Sequence, residues 1–376
     1  MNPLDRFKSV WNDPNDYARK RKQQTGRKIL GYFCSYAPEE LIHAAGLWPF
    51  RLLGTRGEVR MADTHLQSYC CSLVRGGLES ALNGSLDFLD GAVFPHTCDS
   101  IQRLSDIWRL NAGFAHHFDA VLPVRLDSPS ARQYMIDVLS QFRQELAGAF
   151  GTEVSDDAVW QAIGDYNRIR EKLGILYELR SRAPGLFDPS TVHRIMTAAM
   201  VMERGEFLEQ ITAFVEGVDP DAAGRGDTGR KRVVLSGGIC THPDIYELLA
   251  RAGADVVWDD LCTGARYFEG RIAEDGPDPI EALADRYMER TVCPAKHRDT
   301  TARARALVDM VGRQQAGGVI FLLLKFCDPH AFDYPYLKRF LDEAGIPSLL
   351  LEIEDQPPPE GQLMTRFETF VDMLSD

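Results

Sequence analysis

Cysteine is sparse in this chain, with eight residues among 376, too few for a disulfide-built scaffold. No two of them stand in C-x-x-C spacing, so no single segment supplies a zinc knuckle or a ferredoxin-type run. If these thiols hold metal, distant segments must bring them together. Positive charge is also short. Lys and Arg number 42 against 55 Asp and Glu, a formal net charge of -13, which argues against a nucleic-acid-binding surface. No apolar run approaches the roughly 18 residues of a membrane span. The opening MNPLDRFKSV lacks the apolar core of a secretory leader, and a cytoplasmic protein is the expectation. There is no G-x-x-x-x-G-K-[ST] segment and no kinase-like signature, so ATP hydrolysis is not expected of this chain.

What is present is a compact globular composition, 44% apolar and 26% charged, long enough for two or three domains. Two stretches share a grammar. In residues 28–54, a strand from Lys28 to Phe33 exits at Cys34. Pro38, Glu39 and Glu40 suit a helix start, and Gly46 stops that helix before a strand from Trp48 to Leu53. In residues 231–264 the order recurs: strand, Cys240, Pro243, an acidic first turn, a helix, Ala-Gly and a strand. Both read as parallel strand–helix–strand crossovers. LDGAVFPHTC at 89–98 precedes a helix from Ser100 to Leu110 and a strand from Ala120 to Leu126. GGVIFLLLKFC at 317–327 precedes a helix from Tyr336 to Glu343 and a strand from Pro347 to Ile353. Continuous apolar runs of this kind fit parallel sheets covered on both faces.

Residues 129–181 and 191–216 carry helix-period apolar positions, and 266–305 also read as helical, as a cover for the second sheet. The expected fold is α/β, with two flavodoxin-like or Rossmann-like parallel-sheet domains facing a cleft and joined by a helical segment. The expected divisions are an N-terminal helical segment (1–27), a first α/β domain (28–128), a helical connecting region and linker (129–230) and a second α/β domain (231–376).

Ligands of open parallel sheets collect beyond the carboxyl ends of the strands, where PHTCDS (95–100) and KFCDPH (325–330) place Cys98 and Cys327. Three readings of these thiols stand side by side: buried loop cysteines whose aspartates cap the next turn, a single catalytic thiol, or metal ligands. A third thiol, Cys71 in SYCCSLVRGG, leads into a helix whose N-terminus would stabilise a thiolate. Three thiolates would suit an iron–sulfur cube with one open iron, and zinc completed by His96 or His330 is the rival. The same histidines are candidate proton donors or loop hydrogen-bonders. The basic run from Arg19 to Lys28 is a solvated helix face or a contact for phosphate or a partner. Glu352, Glu354 and Asp355 line the cleft or a solvated loop, and Arg366 faces a partner, a phosphate or neither. The Gly76-Gly77, Gly237-Gly238 and Gly317-Gly318 pairs read as turns rather than phosphate loops.

GYFCSYAPEELIHAAG, YCCSLVRGGLESAL, FLDGAVFPHTCDSIQRL, LLLKFCDPHAFDYPYLK and GIPSLLLEIEDQPPPEGQLMTRFETFVDML together resemble the 2-hydroxyacyl-CoA dehydratase and benzoyl-CoA reductase family. Their wording is most similar to the smaller cluster-bearing (C or gamma) subunit of ATP-dependent benzoyl-CoA reductases. The resemblance implies an oxygen-sensitive [4Fe-4S] cluster on Cys71, Cys98 and Cys327, with Cys34 and Cys70 as reserves. Cys240, Cys262 and Cys293 fall outside its blocks and are expected to be packing thiols. It implies a paralogous cluster-bearing subunit, and an ATPase electron activator, supplied by reduced ferredoxin, that uses the ATP. The implied reaction is reductive dearomatisation of an aromatic acyl-CoA, benzoyl-CoA, to a cyclohexadiene thioester. Alternatives within reach are an (R)-2-hydroxyacyl-CoA dehydratase subunit, a homodimeric double-cubane reductase and a non-catalytic scaffold.

Overall fold

Asn2 accepts a hydrogen bond from the Leu4 amide and Pro3 fills the first helical position, so helix α1 spans Pro3–Asn12. Asp13 caps α2 (Pro14–Thr25) by accepting from the Asp16 amide, and Gly26 closes it in the left-handed region at φ 67°. The basic run here is used inside the chain. Lys22 Nζ reaches Asp90 and the Phe88 carbonyl, each at 2.7 Å. Arg19 binds the Ser85 carbonyl, and Arg27 pairs with Glu203. The structure, a computed structural model, describes residues 2–55, 57–219, 226, 228–242, 244–290, 293–299, 301–354 and 358–375.

The first sheet is built from β1 (Ile29–Tyr32), α3 (Glu39–Ala44), β2 (Trp48–Arg51), α4 (Ser72–Leu82), β3 (Gly91–Phe94), α5 (Asp99–Asn111) and β4 (His116–Asp119). Its strands are all parallel, in the order β2-β1-β3-β4. The pleat sends Ile29 and Phe33 into one core and Leu30 and Tyr32 into the other. Four helices follow: α6 (Ala131–Phe150), α7 (Asp156–Arg182), α8 (Thr191–Val201) and α9 (Arg204–Glu216). The second sheet comprises β5 (Lys231–Gly237), α10 (Asp244–Arg251), β6 (Ala254–Asp260), α11 (Ala265–Phe268), α12 (Pro279–Glu289), α13 (Ala302–Arg313), β7 (Gly318–Leu324), α14 (Asp328–Glu343) and β8 (Ser348–Ile353), before α15 (Glu360–Asp372). Its parallel order, β6-β5-β7-β8, repeats that of the first. Each sheet carries an apolar core on both faces, as a parallel sheet with its crossovers requires. The expected α/β architecture of two parallel sheets linked by helices is the one found.

Two regions differ from expectation. The fourth strand lies at His116–Asp119 rather than at 120–126, because Pro123 cannot donate to a ladder. Leu122 and Leu126 enter the core from a loop instead. Of the helices in 266–305, α13 covers the second sheet through Leu307 and Met310, whereas α12 packs its Leu283 into the core of the first. There Arg132 on α6 grips Asp285 at 2.6 Å. Glu39 and Glu40 open α3 as expected, and both are buried there.

Their partners lie on α7, which runs past both sheets. Ser155 caps it, Asp156 and Asp157 sit in its first turn and Arg180 and Arg182 in its last, each complementing the helix dipole. Toward the first sheet, Tyr166 donates to Glu39 at 3.0 Å and Arg170 pairs with Glu40. Toward the second, Tyr177 donates to Asp259 at 2.8 Å and Arg180 at 3.1 Å. Among the described residues, no helix is long and apolar enough to cross a membrane.

Candidate functional site

The strand order places a topological switch point between β1 and β3, and another between β5 and β7. Thiols occupy both. Cys34 follows β1 and Cys98 follows β3, while Cys240 follows β5 and Cys327 follows β7. Cys98 and Cys327 hold equivalent stations, each at the N-cap of the helix after the third strand, and Cys71 is the N-cap of α4. Asp99 and Asp328 are therefore not caps. They take the first helical position after their cysteines, where a carboxylate still complements the dipole.

Cys71 belongs to the same apolar core that Cys98 and Cys327 pack against, together with Phe33, Phe94 and Val74. Burial pushes all three thiols up, Cys98 to about 12. Amides of the following turn pull the other way: Val74 and Leu73 on Cys71, Ile101 and Ser100 on Cys98. On Cys327 that pull comes from the His330 amide, since Pro329 has no N–H to offer. Cys71 raises Cys98, and Cys71 and Cys98 both raise Cys327. The three sulfurs thus sense one another's charge.

This donor set fits a cationic cluster. Thiols kept protonated by burial and by their neighbours become thiolates when a metal centre supplies the balancing charge. Among the described residues, no group of three or more His, Cys, Asp or Glu side chains is arranged to hold a metal ion, and this applies to the three thiols as it does to a zinc set. The two histidines weighed for zinc are also engaged elsewhere. His96 Nε2 lies 2.7 Å from Asp119, and His330 is buried against Cys262. Thiolates on separate irons of a cube need not crowd as those on one zinc must, with bonds of about 2.3 Å to a common centre.

Backbone strain gathers at the same place. Four non-glycine residues have positive φ among those described, and three are Cys34 (62°), His96 (41°) and Phe326 (66°). Two of these immediately shape the approach to Cys98 and Cys327, where an L residue enters the left-handed region at an energetic penalty. Of the reserve thiols, Cys70 is buried beside Cys71, and Cys34 packs on the opposite core while still raising Cys98. Gly237, at φ 151°, would place a Cβ 2.0 Å from the Leu322 carbonyl oxygen, so strand contact explains this glycine.

Asp119 organises the polar rim. Burial raises it, but hydrogen bonds from His117, Ser105 and His96 outweigh burial and hold it below the ordinary carboxylate value. His96 is thereby fixed in orientation two residues ahead of Cys98. Sequence reading missed Asp119 because its ring partner lies beyond another strand. Glu354 pairs with Lys325 at 2.6 Å on the surface, Arg366 donates to the Leu350 carbonyl at 2.6 Å, and Asp355 lies outside the described residues.

A second thiol group was also missed. Cys262, after β6, and Cys293, after α12, act on each other's charge, a relation that no sequence spacing announces. Lys296 lies near Cys293 and Cys34 and donates to the Leu122 carbonyl at 3.0 Å. Burial lowers it to about 8, with the two thiols opposing. The folded value lies below the ~10.4 of an unfolded lysine, so folding is penalised below about pH 8 and the penalty fades as pH rises toward ~10.4. Lys296→Met is therefore expected to be stabilised relative to wild type most at neutral pH. That advantage, read from urea midpoints, should shrink between about pH 8 and about pH 10; a gap independent of pH would contradict it.

A family model described as 2-hydroxyglutaryl-CoA dehydratase, D-component, matches residues 34–374. The chain is 27% identical to the (R)-phenyllactyl-CoA dehydratase beta subunit of Clostridium sporogenes, over 98% of this chain and 97% of that protein. It is 29% identical to the beta subunit of (R)-2-hydroxyglutaryl-CoA dehydratase from Acidaminococcus fermentans, over 99% and 98%. With the C subunit of benzoyl-CoA reductase from Thauera aromatica the identity is 28%, over 99% and 97%.

Proposed function

Because the chain belongs to the 2-hydroxyglutaryl-CoA dehydratase D-component family, we propose that it is the beta-type subunit of a 2-hydroxyacyl-CoA dehydratase complex. The observation that carries this reading is the family match through both sheets, residues 34–374. Relatives named as dehydratase subunits, at 27% and 29% identity, support it. The wording of the sequence favours the benzoyl-CoA reductase subunit, but identities of 27%, 28% and 29% do not single that relative out. The reductase becomes the second reading.

In this proposal Cys71, Cys98 and Cys327 hold a [4Fe-4S] cluster. The bound cluster supplies a low-potential electron, which removal of an unactivated hydrogen from the carbon beyond the hydroxyl calls for. The chain's own residues do the rest. The N-terminal turns of α4, α5 and α14 direct amide dipoles at the thiolates. Phe33, Phe94 and Trp108, all buried, keep water from the centre's inner side. Asp119 holds His96 through Nε2, leaving Nδ1 as the ring's other polar atom. A paralogous cluster-bearing subunit would complete the site, and an ATPase activator reduced by ferredoxin would deliver the electron.

The test is an anoxic assay of the assembled complex and its activator on a panel of 2-hydroxyacyl-CoA thioesters and on benzoyl-CoA. The expected result is a 2-enoyl-CoA plus water, with no net electron consumption by substrate. A dearomatised thioester formed with stoichiometric electron consumption, and no enoyl product, would replace the dehydratase reading with the reductase one.

A further inference from the structure

We propose that Arg303 is the positioning residue of Cys327, fixing through Asp333 where the first turn of α14 presents its sulfur. The inference rests on the reading of Cys327 as a cluster ligand. What carries it is the unequal anchoring of α14 on the two sides of Pro335.

Beyond Pro335 the helix is held by apolar packing, with Leu337 and Leu341 buried in a core of the second sheet. Ahead of it, little is buried. Among the described residues from Asp328 to Tyr336 only His330 is, and Phe332 is 76% exposed. Pro335 also separates the two parts, because it has no amide to donate to the Ala331 carbonyl and its ring crowds that oxygen. The opening turns therefore depend on contacts outside the helix. His330 lies over Gly238, where a Cβ would stand 3.5 Å from its ring. Tyr334 meets Phe321 edge-on, with 5.0 Å between centroids. The charged contact is Arg303, whose Nε lies 2.6 Å from Asp333.

Arg303 is itself fixed on its other side. Its guanidinium is buried and lies 2.7 Å from Asp260, at the carboxyl end of β6. Asp260 in turn accepts from Ser236 of β5 at 3.2 Å and lies 3.3 Å from Arg266. The run of contacts continues into the first sheet. Arg290 donates to the Arg266 carbonyl at 3.1 Å and to the Ser35 carbonyl, in the loop after β1, at 2.9 Å. Asp333 thereby refers the station of Cys327 to the sheet that carries Cys71 and Cys98. The planar fork of arginine serves two carboxylates with separate N–H groups, and the compact point charge of a lysine does not reproduce it.

Asp333→Ala tests this directly, because it frees the turn while leaving Arg303 on Asp260 and strands no buried carboxylate. In the full chain without metal, hydrogen exchange at the amides of Ala331 to Tyr334 should become about tenfold faster or more, with those of 337–343 unchanged. Arg303→Lys, which keeps a positive charge for Asp260, should loosen the same turn. In the anoxically reduced complex, the electron paramagnetic resonance component that Cys327→Ser removes should persist in Asp333→Ala with shifted g-values. While Cys327→Ser still loses iron, three results would each overturn the proposal: a turn that exchanges as in wild type, exchange raised equally along all of α14, or an unshifted component. A Cys327→Ser complex that keeps its iron would instead sink the ligand reading, and the proposal with it. Should Arg303→Lys fail to fold, Asp333→Ala decides alone.

Discussion

Cys98→Ser and Cys327→Ser are each expected to remove this chain's share of the iron and acid-labile sulfide of the anoxically purified complex, leaving that of the paralogous subunit, and with it essentially all turnover. Both cysteines are N-caps without a side-chain cap hydrogen bond. Serine is among the best N-cap residues, and its hydroxyl can accept from the next turn's amides. The apo chain should therefore keep its stability to within about 1 kcal/mol, or gain slightly. Loss of the metal would then report lost ligation rather than unfolding. Cys240→Ser, at the equivalent of the Cys34 station, is the control and should retain iron. Normal iron and sulfide in both the Cys98 and Cys327 variants would show that the ligand set lies elsewhere.

Arg180→Met should be the most destabilising single change at the junction between the sheets. Asp259 and Arg180 are both buried, and Arg180 also lies over the Tyr177 ring, 4.2 Å from its centroid. Removing the guanidinium leaves a buried carboxylate with Tyr177 and the Ala265 amide as its remaining hydrogen-bond donors. Breaking one side of such a pair costs about 3–5 kcal/mol, visible as a lowered urea midpoint. Arg180→Met combined with Asp259→Asn should recover part of the loss, because the stranded charge is gone. A single-variant change below about 1 kcal/mol would mean that water already screens the pair.

Much of this molecule could be read in the sequence because its signals are local. Apolar runs that end at Cys98 and Cys327 marked the third strand of each sheet, and Ser-Leu-Val-Arg after Cys71 marked a helix start. The repeated strand–Cys–helix grammar foretold two parallel sheets. What could not be read depends on side chains meeting across elements. HHFD at 116–119 has no apolar run, yet it pairs along β3 as the edge strand. Glu39 and Glu40 read as ordinary residues of an acidic first turn, but α7 draws them inward through Tyr166 and Arg170. Asp119 beside His96 is likewise a product of topology. No periodicity encodes it.

The 27 residues of α7, at 1.5 Å each, make a rod of roughly 40 Å. Its middle, at Tyr166 and Arg170, is pinned to the first sheet and its last turns, at Tyr177 and Arg180, to the second, so the register between them sets the spacing of the two sheets. One residue inserted between Arg170 and Tyr177 would advance the far end by about 1.5 Å and turn it by about 100°. Arg180 would then point away from Asp259. The two halves of the thiol set would lose their common measure with every cysteine still in place.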